Sequence, residues 1–285
     1  MIKILIPTDF SDNAMNAITY ALEFFKHQKA EFYFMHAYEA EVYNHKELLS
    51  RTDFGTIVER VKKQSEENLL NLLATVKEIS PNPRFTYFTI SAYNSLLDEA
   101  DVIVDGKNID ILVMGTKGKS NHSHLTFGSN TLQVLKYVRC PVLAIPQNYS
   151  YEKPTHALFP TNYLIPYKRR ELKLVCNLLS PQRTKIDMLY VSKSNKLSFR
   201  QEDNKAFMEE TICKNKISFY NTDNKKIDNA INTYVADNNI DFLIMVNTQH
   251  SYLENILFQS TIDKISLKIA IPLLVLQNLR RESLN

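Results

Sequence analysis

The sequence predicts an α/β chain of two tandem open sheets, each mainly parallel. Three observations predict it. Short apolar runs alternate with helix-period segments along all 285 residues, the signature of βαβ units. The order of those segments restarts after about residue 150. Matched strings then recur in the same order in both halves. NIDILVM (Asn108–Met114) aligns with NIDFLIM (Asn239–Met245), and the same offset of 131 brings Phe127 onto Phe258, Ser129 onto Ser260 and Pro141 onto Pro272. IPTD (Ile6–Asp9) likewise meets FPTN (Phe159–Asn162). These matches set domains at 1–147 and 156–285, with 148–155 as a linker.

In the first half, Lys3–Ile6 reads as a buried strand. Ser11–Lys26 follows as a helix capped by Ser11, with Ala14, Ile18, Leu22 and Phe25 on one face. Glu31–Ala37 is a second strand. Residues 39–55 are polar and patternless, hence a loop. Thr56–Glu78 reads as a long helix ended by Pro81 and Pro83. Arg84–Ile90 is a strand, Ser95–Asp105 a helix, Asp110–Met114 a strand, Gly128–Val138 a helix and Val142–Ile145 a strand. The second half repeats this, with strands at Ala157–Phe159, Lys185–Val191, Lys216–Tyr220, Asp241–Met245 and Leu273–Leu276. Its helices are Tyr167–Leu179, Gln201–Lys214, Lys225–Asp237 and Thr261–Lys268.

Composition excludes several classes. Charged residues make up 23% and hydrophobic residues 44%, so the chain is neither disordered nor fibrous. The first 150 residues carry 15 basic and 17 acidic side chains, the remainder 19 and 14; neither half has the basic excess of a nucleic-acid binder. Cys140, Cys176 and Cys213 are scattered with no CxxC pair, against a disulfide framework or a zinc site. Cys140, before Pro141, reads as buried and inert. The longest aliphatic run, Ile269–Leu276, is interrupted by Pro272 and too short to cross a membrane. The first residues lack the pattern of a signal peptide. A cytoplasmic protein without nucleic-acid or membrane partners is expected.

There are only five glycines, Gly55, Gly106, Gly115, Gly118 and Gly128, and none lies beyond 128. A chain so sparing is expected to keep glycine where the backbone needs positive φ or close approach. Met114–Asn130, MGTKGKSNHSHLTFGSN, starts at the carboxyl end of a buried strand, the edge where open parallel sheets bind ligands. Gly115 and Gly118 permit a tight loop with exposed N–H groups. Gly128-Ser129-Asn130 opens the next helix, whose first N–H groups attract anions. Lys117 and Lys119 add positive charge. Gly118–Ser120 imitates the end of a Walker A loop, but Gly115 is too close for that motif, and GxGxxG is absent.

The spacing present, G-x2-G-x9-G-S, resembles the ATP-binding signature of the universal stress protein family. IPTDFS (Ile6–Ser11), MHAY (Met35–Tyr38) and CPVLAIP (Cys140–Pro146) match the family's other landmarks in order. The resemblance covers 1–147 and, in degraded form, 156–277. It implies the adenine nucleotide alpha hydrolase-like fold: five parallel strands per half in the order 3-2-1-4-5, with helices on both faces. It further implies ATP or AMP, with or without Mg2+, across the strand ends. Asp9 would approach the adenosine portion and the main chain at Ala37 would read the adenine edge, beside Pro7 and Met114. Gly115, Lys117, Gly118, Gly128, Ser129 and Asn130 would hold ribose and phosphates. Ala37 stands where the family commonly has Val. Ser91-Ala92-Tyr93 lacks the Gly and Pro of the family's corresponding turn.

The second half departs at each glycine, with Val246, Gln249 and Gln259 for Gly115, Gly118 and Gly128, and Asn162 for Asp9. A β-branched Val resists the left-handed conformation, and the glutamines crowd the phosphate space. This half is expected to be a copy that no longer binds nucleotide. His36 reads as a packed core histidine rather than a ligand. His122 and His124 lack a third metal ligand nearby, and no metal site is expected. Residues 39–51, with Tyr43 and His45, read as a lid or a solvated loop. Glu59, Glu66 and Glu67 form a wet helix face. No Ser/His/Asp set or carboxylate pair can be assembled, so no catalytic residue is assigned. The expected function is a stress-response regulator that binds ATP or AMP. The alternatives are a slow Mg-dependent ATPase on the same site and a ligand-free dimerisation scaffold. The closing strands Val142–Ile145 and Leu273–Leu276 would be apolar sheet edges, which invite pairing in a homodimer or an intrachain pseudo-dimer.

Overall fold

The computed structural model describes residues 1–45, 53–118, 127–165, 167–192, 196–212, 216–223, 226–248, 251–258 and 270–278, and within these no side chain at 255 or 258. The described chain divides into two compact units. The first takes in residues 1–118, 128–140 and 147–151, the second 127, 141–146 and the residues from 152 onward.

In the first unit, β1 (Ile2–Pro7) leads through α1 (Asp12–Phe24) to β2 (Ala30–Ala37). A short α2 (Glu39–Tyr43) and a long α3 (Phe54–Ile79) lead to β3 (Phe85–Ala92). Then come α4 (Leu96–Lys107), β4 (Ile111–Gly115) and α5 (Ser129–Tyr137). The parallel order is β3-β2-β1-β4. Right-handed crossovers put α1 and α3 on one face of this sheet and α4 on the other, where α5 packs against it. Between β1 and β4 the direction of winding reverses, which opens a crevice at their carboxyl ends. The core consists of the strands' inward apolar side chains, such as Ile4, Leu5, Ile6, Phe32 and Phe34, all fully buried, and each such residue contributes about 1.5–3 kcal/mol by leaving water.

Helix boundaries follow local chemistry. Ser11 caps α1 by accepting from the Ala14 N–H at 3.2 Å. Asp53 caps α3 and Ser95 caps α4 in the same manner. The short α2 corrects the expectation of unbroken loop over 39–55: buried Val42 packs with Tyr38 and Ile57 in a small apolar cluster, so tertiary packing orders a segment without helical periodicity. Residues 46–52, with most of the expected lid, lie outside the described residues. Tyr149 and Tyr151, expected in a linker, pack on Tyr20 of α1 with ring centroids 6.1 and 5.3 Å away.

The second unit repeats the plan. Its strands are β6 (His156–Pro160), β7 (Lys185–Val191), β8 (Ile217–Thr222), β9 (Phe242–Asn247) and β10 (Leu273–Gln277), and its helices α6 (Arg169–Leu179), α7 (Phe199–Thr211) and α8 (Ile227–Asp237). The parallel order β8-β7-β6-β9-β10 is the expected 3-2-1-4-5. One strand from the first half joins it. β5 (Val142–Ile145) runs antiparallel to β10, with Ala144 opposite Leu273, Leu143 opposite Leu274 and Val142 opposite Val275. β10 is therefore flanked on both sides: the two closing strands, expected to pair as apolar edges, do so within the chain. The expected helix Thr261–Lys268 lies outside the described residues. A π-helical turn, Glu254–Phe258, follows β9 and was not legible in the sequence.

The duplication extends to single hydrogen bonds. Asp110 N–H donates to the Lys3 carbonyl and Asp241 N–H to the His156 carbonyl, at 2.9 and 3.0 Å. Their carboxylates accept from Lys3 N–H and His156 N–H, at 2.9 and 3.0 Å. Asn108 and Asn239 have left-handed φ of 53° and 51°. So do Phe10 and Tyr163, at 59° and 55°, which for bulky residues is a strained conformation.

Candidate functional site

The turn that holds Phe10 begins the site. After β1, the Thr8 hydroxyl accepts from Phe10 N–H at 3.0 Å. Asp9 Oδ1 accepts from Ser11 N–H at 3.1 Å and from the Ser11 hydroxyl at 2.6 Å. These side chains replace the strand ladder just past its end and compensate the strained φ. Asp9 is thereby fixed at the mouth of the β1–β4 crevice.

Across the crevice, β4 ends at Gly115 and the chain re-enters at α5. Gly128 N–H donates to the Thr116 carbonyl at 2.8 Å, and the Thr131 hydroxyl donates to the Gly115 carbonyl at 3.1 Å. The helix start is pinned to the strand end. Unlike α1, α3 and α4, α5 has a glycine N-cap, Gly128, with no side chain to cap it. The N–H groups of Ser129, Asn130 and Thr131 have no carbonyl of their own helix to meet, and they carry the positive end of its dipole. No acidic residue lies in this first turn.

From the third side comes β2. Thr8 N–H donates to the Met35 carbonyl at 2.8 Å. Strand alternation turns the peptide groups of Ala37, two residues on, to the same side and beyond the last residue of β1. Ala37 thus aims an N–H and a C=O over the crevice. His36 beside it is buried. Its Nδ1 lies 2.9 Å from the Ser65 hydroxyl, which lies 2.7 Å from that of Ser91, and its Nε2 is 3.3 Å from Glu41 Oε1. The ring ties α2, α3 and β3 to the site's wall.

These elements enclose a cavity of about 200 Å³. Of the predicted site residues, Pro7, Asp9, Ala37, Met114, Gly115, Lys117, Gly118 and Asn130 line it. Gly128 and Ser129 do not. Thr8, Ala14, His36, Ala40, Glu41, Leu96 and Thr131 also line it and were not assigned from the sequence. For Thr131 a signal existed: a hydroxyl three residues into a glycine-capped helix reaches back to the preceding strand. Lys119, His122 and His124 lie outside the described residues. Among the described residues no cluster of three or more His, Cys, Asp or Glu side chains could hold a metal. Cys140 and Cys176 are buried.

Of the two expected reasons for glycine, positive φ and close approach, the structure shows the second. None has positive φ. A Cβ on Gly115 would lie 3.0 Å from the Asn13 carbonyl oxygen and 3.3 Å from that of Lys117. One on Gly118 would lie 3.0 Å from Asp9 Oδ2. One on Gly128 would meet nothing nearer than Lys117 Cα at 3.7 Å; it would point into the hollow between the 116–118 loop and the helix start. Left-handed strain is accordingly not what separates Val246 from Gly115; the room beside the chain is.

At the same edge of the second unit, the hollow lined by Pro160, Thr161, Asn162, Met245 and Val246 has only about 10 Å³. Gln249 and Gln259, expected to fill it, lie outside the described residues. Tyr167, Tyr252 and Leu253 line it instead. The Thr161 hydroxyl bonds that of Tyr167. Asn162 Oδ1 accepts from Leu164 N–H at 3.0 Å, so asparagine keeps the turn that Asp9 makes and drops the charge.

Similarity to known proteins agrees with this geometry. The profile of the universal stress protein family matches residues 1–146. Two universal stress proteins of Methanocaldococcus jannaschii are 29% identical over 143 residues (50% of this chain, 81% of that one) and 26% identical over 161 residues (52% and 96%). The crystal structure of a universal stress protein from Archaeoglobus fulgidus aligns over 96% of both chains with a TM-score of 0.65 at 16% identity, a likeness of fold. With its first half matched by the family and its second half repeating the strand order, the chain belongs to the universal stress protein family as a tandem, two-domain member.

Proposed function

We propose that the first unit binds an adenine nucleotide, ATP or AMP, and that the chain is a cytoplasmic stress-response regulator whose second unit is a structural or interaction half. One observation carries the reading: at equivalent edges of two like sheets, one crevice is an open cavity of about 200 Å³ beside an uncapped helix start, and the other is filled. An uncapped helix start next to Lys117 suits a phosphate, since charge-assisted N–H bonds to an anion contribute about 1.5–3 kcal/mol each. The main-chain N–H and C=O of Ala37 suit the edge of a base, and Asp9 a ribose hydroxyl. Binding rather than turnover is favoured because the side chains around the cavity are engaged in holding it: Asp9 braces its own turn and His36 links three elements.

Calorimetric titration of the full chain with ATP and with AMP, each with and without Mg2+, tests this. One equivalent of nucleotide per chain is expected. No heat at millimolar ligand would overturn the reading. Phosphate release followed in the same samples should stay at the level of the uncatalysed control.

A further inference from the structure

The hollow of the second unit is filled in a specific way. The Tyr252 hydroxyl accepts from Val191 N–H at 3.3 Å and donates to the Val191 carbonyl at 3.2 Å. Val191 closes β7 as Ala37 closes β2. Thr161 N–H donates to the Leu189 carbonyl at 2.9 Å, the same bond that Thr8 makes to Met35, and two residues further on stand Val191 and Ala37. Both are matched to the neighbouring strand in the same register, Val191 to Thr222 and Ala37 to Ala92. So the peptide that faces an open cavity in the first unit faces a phenol in the second. One hydroxyl satisfies both its N–H and its C=O.

The chain that follows Tyr252 is buried. Leu253 is fully buried, and Ile256 and Leu257 are nearly so. Glu254 N–H donates to the Ser251 hydroxyl at 3.0 Å, which closes the turn from which Tyr252 projects. Tyr252 is 8% exposed, and with its ring in place only about 10 Å³ is left.

We propose that Tyr252 is a resident occupant of a base-type site: its ring fills the crevice of the second unit, its hydroxyl takes both hydrogen bonds of the Val191 peptide, and removing it uncovers a site for a planar heteroaromatic ring that carries a donor beside an acceptor. Adenine has this pair in its exocyclic amine and the adjacent ring nitrogen. The second unit is therefore a lobe whose ligand edge is satisfied from within, and its stability owes nothing to nucleotide. The choice of adenine as probe rests on the reading given above for the first unit; the occupancy by Tyr252 does not.

The test compares the wild-type chain, Tyr252→Ala and Tyr252→Phe by calorimetric titration with adenine and with purine, which lacks the amine. Tyr252→Ala is expected to bind one more equivalent of adenine than the wild type, and to bind purine about tenfold more weakly, because the Val191 carbonyl is then left without its donor. Tyr252→Phe is expected to gain no equivalent, since its ring still fills the hollow. The result is a difference between variant and wild type. A wild type that binds nothing beside a Tyr252→Ala chain that binds one equivalent would refute the first unit's reading and support this one. A folded Tyr252→Ala chain with wild-type stoichiometry would overturn it. Should Tyr252→Ala be much less stable, its unfolding midpoint is expected to rise more with millimolar adenine than that of Tyr252→Phe; an equal rise in the two would equally overturn it.

Discussion

Gly115 and Gly128 are glycine for opposite reasons, and substitutions separate them. Beside Gly115 the obstacle is backbone, the Asn13 carbonyl 3.0 Å from a would-be Cβ. Gly115→Ala should lose about 1–3 kcal/mol by overpacking, read from urea unfolding without ligand. Beside Gly128 there is room, so Gly128→Gln should unfold at the wild-type midpoint. Its side chain would nonetheless occupy the hollow at the helix start, and calorimetry should show nucleotide affinity lower by about tenfold or more, the value of one charge-assisted bond. Retained affinity would refute the anion site. Asp9 divides likewise. Asn162 makes the same turn in the second unit, so Asp9→Asn should leave stability unchanged, whereas Asp9→Ala removes the acceptor for Ser11 and should cost about 1 kcal/mol. At this scale the sequence was partly legible. The glycine spacing marked the right loop, because a backbone-lined hollow needs residues without Cβ. Of the two reasons offered for glycine, close approach holds at Gly115 and Gly118 and positive φ does not; left-handed positions went to residues such as Phe10 and Tyr163, whose strain is offset by Thr8 and Thr161 hydroxyls that no pattern announces. Tyr252 was illegible for a similar reason: one tyrosine in a loop looks the same whether its ring meets water or a peptide across the sheet.

Elements with strong periodicity were read well from sequence, and those ordered by contact were not. The cap at Ser11 and the uncapped start at Gly128 follow from residue type alone, whereas α2 forms because Val42 finds Tyr38 and Ile57. A testable consequence at this scale concerns α6. Glu171, in its first turn, is buried, and burial pushes its carboxyl up to about 7 against the pull of Lys168 and Arg170. In the unfolded chain the group releases its proton near its ordinary 4.5. Between those values the folded state holds more protons than the unfolded one, so stability falls as pH rises across that window and levels off above it. Glu171→Gln stays neutral throughout. It should match the wild type at about pH 4 and exceed it by a few kcal/mol at about pH 8. Urea unfolding at the two pH values checks this; equal stability of both chains at the higher pH would show that the folded protein accommodates the charge.

The repeat is the feature of the whole molecule most legible in the sequence, because two sheets of like order need like strings at the strand ends; the paired asparagines and aspartates show it reaching down to individual hydrogen bonds. The closing strands were legible as strands and as apolar edges that pair, but the choice between pairing within one chain and between two chains was not. Val142–Ile145 lies along β10, which is the pairing within one chain; nothing in four residues states which of the two would form. A boundary drawn from sequence at 148–155 would therefore cut β10 from its neighbour. In a fragment beginning at residue 152, the edge formed by Leu273, Leu274 and Val275 loses its cover, and an uncovered apolar edge recruits another chain. That fragment should associate with rising concentration, most simply by β10 pairing with β10 of a second copy. A fragment beginning at residue 141 keeps the Leu273–Val275 edge covered by β5 and should associate less at each concentration. Light scattering over a concentration series distinguishes them, and equal behaviour would mean that β5 contributes nothing to the integrity of the second unit. If the difference appears, adding a peptide of residues 141–151 to the shorter fragment should restore the monomer, because the edge it completes is specified by register and not by covalent connection.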